Sequence, residues 1–130
     1  MDDQAFDEAE TLAALGEDGV TEMVRRFYER IPGDELLGPM YPANDLDGAE
    51  QRLRNFLLFR LGGSSRYIEE RGHPRLRQRH APFAVNLAAR DRWIELMTEA
   101  MNETEMPDGI RAGLGHFLGE VATFLINRPS

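Results

Sequence analysis

Cysteine and lysine are both missing from this chain of 130 residues. Without cysteine there is no disulfide and no thiolate metal site, which excludes disulfide-stabilised scaffolds and cysteine-ligated zinc or iron–sulfur centres. No apolar run approaches the roughly 18 residues of a membrane-spanning helix, so none is predicted. The acidic start, Met-Asp-Asp-Gln-Ala-Phe-Asp-Glu, lacks the apolar core of a secretory signal. We therefore expect a cytoplasmic protein.

Excess positive charge is also lacking. The formal net charge is −8 at pH 7, which disfavours nucleic acid or an anionic membrane as a partner. Because lysine is absent, every strongly basic side chain is an arginine. Either a GC-rich genome or an acidic, salt-adapted surface would account for this. One arginine cluster stands out in the middle of the chain, formed by Arg66, Arg71, Arg75, Arg77 and Arg79. The cluster either meets an anionic partner, such as a carboxylate or phosphate, or is a solvated helix face.

Apolar residues recur with helical spacing, and no segment shows the alternation of a strand. We expect one all-α domain over residues 1–130, with residues 1–15 as a lead-in helix or extension. A turn is predicted at Gly16–Gly19. Helices are predicted over 20–31, from near residue 47 to 61 with Asp47 and Glu50 as a capping box, over 91–101 and over 110–127. His116 lies off the apolar stripe of the last helix and is expected to face solvent.

Familiar catalytic motifs are absent. The chain has no phosphate-binding glycine loop, no His-Glu-x-x-His and no Gly-x-Ser-x-Gly, and its three histidines are scattered. One segment does suggest a ligand: Pro74 suits the first turn of a helix and Pro82 ends it, leaving roughly two turns between them. His80 falls in the last turn, with Leu76 four residues earlier on the same face. On spacing alone, His80 is either an axial iron ligand or a capping residue.

The joint pattern of several motifs is more specific than any one of them. In chain order they are Phe27-Tyr28, Tyr41-Pro42, Asp45-Leu46, Ala49-Glu50, Arg52-Leu53-Arg54, Phe56-Leu57, Gly62-Gly63, Arg71-Gly72-His73-Pro74-Arg75-Leu76-Arg77, Arg79-His80-Ala81-Pro82-Phe83 and Arg90-Asp91-Arg92-Trp93. In this order and spacing the chain closely resembles the group II truncated haemoglobins, over roughly residues 16–129. The resemblance implies a two-over-two α-helical globin fold that encloses haem b.

The resemblance also assigns roles to individual residues. It implies that His80 is the proximal haem ligand, that Tyr28 is the distal tyrosine, that Tyr41 is a corner aromatic and second donor, and that Trp93 is the pocket tryptophan whose indole points at the ligand. The remaining implied pocket residues are Ala49 in place of a distal histidine, Leu53 and Phe56 on the distal wall, Leu76 and Phe83 on the proximal side, and Arg79 and Tyr67 as propionate partners. The expected ligands are dioxygen, carbon monoxide and nitric oxide.

Two positions depart from the family pattern. Arg60-Leu61 stands where a Tyr-Trp pair is common, which we expect to change surface or dimer packing more than the pocket. Where the family has a double glycine in the first turn, this chain has two glycines separated by two residues, Gly16-Glu17-Asp18-Gly19. The lead-in helix is therefore expected to differ in orientation. A homodimer is kept as an expectation.

Three functions stay open from the sequence. The first is a reversible oxygen carrier or sensor. The second is a haem enzyme for nitric oxide dioxygenation or peroxide chemistry, which needs a reductase partner because the chain has no flavin or nicotinamide domain. The third is a haem-free helical interaction domain.

Overall fold

The computed structural model describes residues 7–41, 44–62 and 85–127. The elements in these ranges are α1 (Glu8–Glu29), a short 3₁₀ helix (Gly38–Met40), α2 (Leu46–Arg60), α3 (Leu87–Asn102) and α4 (Asp108–Phe124). The described ranges contain no strand, which confirms the all-α prediction. None of the helices in these ranges is long and apolar enough to cross a membrane.

Helix α1 is the central element of the described ranges because it contacts α2, α3 and α4. Its buried stripe follows helical spacing and becomes the middle of the core. The most deeply buried large side chains come from α1, the segment after it, α2, α3 and α4, and include Phe27, Ile31, Leu57, Met97 and Leu114. At the surface, Arg30 at the end of α1 forms ion pairs with Glu99, at 3.0 Å, and with Glu103, which link α1 to α3.

The predicted turn at Gly16–Gly19 is wrong in extent. Only Gly16 leaves helical geometry, with φ 69° and ψ 169°, and the chain then returns at once to helix. A single glycine suffices because it accepts a positive φ that other residues resist. The lead-in is therefore a helical segment, kinked against the rest of α1, whose start is capped by the Asp7 carboxylate accepting from the Glu10 N–H at 2.9 Å.

The predicted capping box of the second helix is also wrong. The N-cap of α2 is Asp45, and Asp47 lies in the first turn. The Asp45 side chain makes no capping bond and instead pairs with Arg52 at 3.2 Å. An acidic residue in the first turn still favours the helix through its dipole, so the sequence signal was real although the box does not form.

Arg60, which departs from the family pattern, lies at the end of α2, where three elements meet. Its guanidinium Nη1 is 2.8 Å from the Glu8 carboxylate of α1. Its guanidinium carbon is 5.0 Å from the ring centroid of Phe117 on α4, a cation–π contact. Arg60 thus joins the start of α1 to α4.

Candidate functional site

Four aromatic side chains from three parts of the chain form one continuous cluster. Phe27 and Tyr28 come from α1, Tyr41 follows the 3₁₀ helix, and Trp93 comes from α3. The ring centroids of Trp93 and Phe27 are 5.2 Å apart, those of Phe27 and Tyr28 are 5.2 Å apart at 88°, and those of Tyr28 and Tyr41 are 5.6 Å apart at 89°. Edge-to-face contacts at these distances are the favoured geometry for aromatic rings.

The position of α1 explains why two consecutive residues can both take part. Neighbouring side chains on a helix point about 100° apart, and α1 has partners on several sides. Phe27 therefore packs against Trp93 of α3, while Tyr28 meets Tyr41. Phe27 is fully buried and Tyr28 nearly so, which means that both rings have fixed surroundings.

The polar atoms of the cluster lie close enough to shift one another's pKa. Burial raises the pKa of Tyr28 above its ordinary range. Burial also raises the pKa of Tyr41 to about 12, against hydrogen bonds from Trp93 and Tyr28 that lower it. Donors that lower the pKa of a phenol are aimed at its oxygen. An indole N–H can only donate, so Trp93 acts on Tyr41 as a donor, and the two phenols lie close enough to influence each other's protonation.

Helix α2 contributes an apolar face to the same core. Ala49 and Phe56 are buried, and Leu53 between them is partly buried and packs against the core. Spacings of three and four residues place all three on one side of the helix. Their role as a distal wall stays a prediction.

The other half of the predicted site cannot be placed. His80, the implied iron ligand, lies outside the described residues, as do four further pocket candidates, which are Tyr67, Leu76, Arg79 and Phe83. His116 is exposed, as predicted, with its Nε2 3.6 Å from Glu120 on the surface of α4. The described part of the chain brings together Tyr28, Tyr41 and Trp93.

Sequence reasoning assigned no site role to Phe27 or to Asp34. Phe27 was visible as one more apolar residue of the α1 stripe, but nothing local shows that it separates Tyr28 from Trp93. Asp34 is a buried carboxylate held by Arg92 at 2.6 Å, across 58 residues of sequence. An aspartate after Pro-Gly signals a turn, but its distant partner has no local signature.

The donor set fits the distal side of a haem pocket. Phenol and indole groups supply neutral donors that can meet a small ligand, and the apolar α2 face strengthens such bonds by excluding water. The described aromatic cluster consists of aromatic rings and includes no unpaired buried carboxylate that would conflict with this assignment.

Comparison with known proteins agrees with this fit. The sequence profile of the bacterial-like globins matches residues 13–124. The group 2 truncated haemoglobin YjbI of Bacillus subtilis is 36% identical over 115 residues, covering 88% of this chain and 86% of that protein. A thermostable haemoglobin of Thermobifida fusca superposes with a TM-score of 0.88 at 41% identity, covering 92% of this chain and 98% of the other. A truncated oxygen-avid haemoglobin of Bacillus subtilis gives 0.84 at 36% identity, covering 90% and 98%.

Proposed function

Because this chain belongs to the bacterial-like globin family, within the group II truncated haemoglobins, we propose that it binds dioxygen reversibly at a haem b held by His80. Membership of the family implies a haem-binding globin. This takes the place of the third function considered from the sequence, a haem-free helical interaction domain. The observation that carries the oxygen proposal is the cluster that brings the phenols of Tyr28 and Tyr41 and the indole of Trp93 together in the core. The oxygen avidity named for the Bacillus subtilis structure supports it further.

The haem, when bound, supplies an iron with one open position for a diatomic ligand. We propose that the imidazole of His80 occupies the opposite position, with Leu76 and Phe83 packing on that side and Arg79 and Tyr67 meeting the propionates. On the distal side, Ala49 leaves space where a larger side chain would fill it. Carbon monoxide and nitric oxide would enter the same space.

The distal donors determine how long oxygen stays. Bound dioxygen gathers partial negative charge, and a preorganised donor in an apolar site stabilises such charge more than water does. Tyr41 keeps its proton at neutral pH because its pKa is about 12. We propose that the Tyr41 oxygen accepts from Trp93 and Tyr28, and that the Tyr41 proton is the one offered to the ligand. Slow oxygen release follows from this contact.

The test compares two histidines. The protein is loaded with haem, reduced, and cycled between oxygen and its removal while the absorbance is recorded. We expect a reversible spectral change in the wild type and in His116→Ala, because His116 is exposed on α4. His80→Ala should lose it, and added imidazole should restore part of it. An unchanged spectrum in His80→Ala would remove the proposed ligand, and an unresponsive wild type would remove the oxygen proposal.

Enzymatic use of the same haem is the alternative outcome of a second experiment. The oxygenated protein is mixed rapidly with nitric oxide and then supplied with a reductant. A single reaction that consumes the oxygenated form and then stops supports a carrier or sensor. Sustained consumption of nitric oxide at catalytic protein concentration indicates a dioxygenase, which would work with a separate reductase in the cytoplasm.

A further inference from the structure

Asp34 is a buried carboxylate in the connection between α1 and the 3₁₀ helix. Its side chain is 4% exposed. Oδ2 accepts from the backbone N–H of Leu37 at 2.8 Å and of Leu36 at 3.1 Å, and Oδ1 accepts from Nε of Arg92 at 2.6 Å. A carboxylate is buried at a high cost unless its oxygens are satisfied. All these partners must therefore stay in place, and the connection has little freedom where Asp34 sits.

A chain of backbone hydrogen bonds leads from Asp34 to Tyr41. The N–H of Gly38 donates to the Asp34 carbonyl at 3.0 Å, and the N–H of Tyr41 donates to the Gly38 carbonyl at 3.3 Å. Between them, the N–H of Met40 donates to the carbonyl of Leu37, which is itself buried in the core, at 2.9 Å. The connection thus behaves as one hydrogen-bonded unit, with Asp34 near one end and Tyr41 at the other.

Two consecutive residues of α3 contact the two ends of this unit. Arg92 binds Asp34, and the next residue, Trp93, has an indole close enough to Tyr41 to lower the pKa of that phenol. Arg92 is braced in turn by Glu95, whose carboxylate is 3.0 Å from Nη1. The position of the connection against α3, and with it the position of Tyr41 beside Trp93, is therefore set by the Asp34–Arg92 pair.

We propose that Asp34 and Arg92 are positioning residues, which hold the Tyr41 hydroxyl at the indole of Trp93 and thereby set how tightly the distal site retains its ligand. The inference rests on the proposed function, since it assigns the ligand contact to Tyr41. Neither Asp34 nor Arg92 touches the ligand, and both act through the connection. The alternative is a purely structural ion pair, which would stabilise the fold without affecting the donor geometry.

The variants are chosen so that folding and positioning can be separated. Asp34→Asn keeps an acceptor for the Leu37 N–H but removes the charge that Arg92 meets. Arg92→Gln removes the guanidinium, and Arg92→Lys keeps the charge without the planar fork. The matched control is Arg111→Gln, which breaks a pair with the exposed Asp108 at the start of α4. If Arg92→Gln does not fold, Asp34→Asn and Arg92→Lys carry the test.

The first readout does not depend on oxygen. Trp93 is the only tryptophan, so its indole N–H gives a single side-chain signal in the proton–nitrogen NMR spectrum of the full chain. We expect Asp34→Asn and Arg92→Gln to accelerate exchange of that proton with solvent at least about threefold, because its bond to Tyr41 weakens. Arg92→Lys should lie between them and the wild type, and Arg111→Gln should match the wild type.

The second readout is the oxygen dissociation rate of the haem-loaded protein. We expect Asp34→Asn and Arg92→Gln to raise it about three- to tenfold. In a Tyr41→Phe background the same substitutions should raise it no further, because the group through which they act is gone.

The outcomes separate the two proposals. Faster indole exchange in Asp34→Asn and Arg92→Gln, in a protein whose wild type binds no oxygen, would keep the positioning role and end the oxygen proposal. If the protein binds oxygen but Asp34→Asn and Arg92→Gln change neither the indole exchange rate nor the oxygen dissociation rate, the positioning role is overturned and the oxygen proposal is kept. Equal effects with and without the Tyr41 hydroxyl would also overturn it, because the pair would then act by another route.

Discussion

The Tyr41→Phe substitution tests the direction of the hydrogen bonds in the aromatic cluster. In the proposed arrangement, Tyr28 and Trp93 both donate to the Tyr41 oxygen, so Tyr41 is the residue whose proton is free for a ligand. The substitution removes one oxygen atom and keeps the ring that packs edge-on against Tyr28 at 5.6 Å. We expect oxygen to dissociate faster from Tyr41→Phe than from Tyr28→Phe.

The two magnitudes follow from the kind of bond that each variant loses. A hydrogen bond to a charged group contributes roughly 1.5–3 kcal/mol, which corresponds to an off-rate raised about 10- to 150-fold in Tyr41→Phe. The lower end applies if one of the two freed donors turns to the ligand. Tyr28→Phe loses a neutral bond of roughly 0.5–1.5 kcal/mol, which acts by polarising Tyr41 and gives about two- to tenfold.

The assay is stopped-flow displacement of oxygen by excess carbon monoxide, recorded at the haem absorbance. Thr123→Val serves as the control, because it deletes an exposed hydroxyl that contacts Arg90 at 2.9 Å on the outside of α3 and α4. The double variant of Tyr28 and Tyr41 should match Tyr41→Phe alone, since Tyr28 acts through Tyr41. A Tyr28→Phe rate equal to or above that of Tyr41→Phe, or additive effects, would show that Tyr28 meets the ligand directly.

Two further predictions concern stability. The hydrogen bond from Leu37 and the guanidinium of Arg92 hold the pKa of Asp34 below its ordinary value of 3.8; its charged form therefore stabilises the fold above that pH, and the stability is lost as pH falls through the lowered pKa. The difference in unfolding free energy between wild type and Asp34→Asn, measured by urea denaturation, should be constant near neutral pH and shrink in acid; a difference that grows in acid would contradict the assignment. Gly16→Ala should cost about 1–3 kcal/mol, because φ of 69° strains a residue with a Cβ. Gly109→Ala, with open space and no positive φ, should cost little in the same thermal melts.

Apolar periodicity alone predicted four of the described helices but not their ends. Helix α3 was predicted from Asp91 and begins at Leu87, because Asn86 caps it by accepting from the Ala89 N–H at 2.9 Å. Its first turn, Leu87-Ala88-Ala89-Arg90, has consecutive apolar residues without helical spacing, so the period became visible only one turn later. Periodicity reports which face is buried, whereas a helix end depends on single side chains that satisfy free N–H groups.

Three of the four members of the aromatic cluster could be named as site candidates from the sequence, but their arrangement could not. Tyr28, Tyr41 and Trp93 were singled out through a family resemblance that no local pattern would replace. Nothing in the sequence indicates that the Trp93 indole donates to Tyr41, or that Arg92 reaches Asp34 across 58 residues. Such contacts depend on how α1 and α3 pack, which is decided by the whole core and not by any one segment.

That dependence has a physical consequence for the donors. Helix α1 presents Phe27 to Trp93 and Tyr28 to Tyr41, while α3 uses consecutive residues to contact Asp34 and Tyr41. The contacts therefore close a ring from α1 through the connection to α3 and back through Phe27. In a close-packed interior, a shift of α3 along α1 cannot move one donor alone, because it changes every link in the ring. Ligand retention should accordingly respond to core substitutions between α1 and α3 that touch no ligand, with faster release wherever the indole loses its bond to Tyr41.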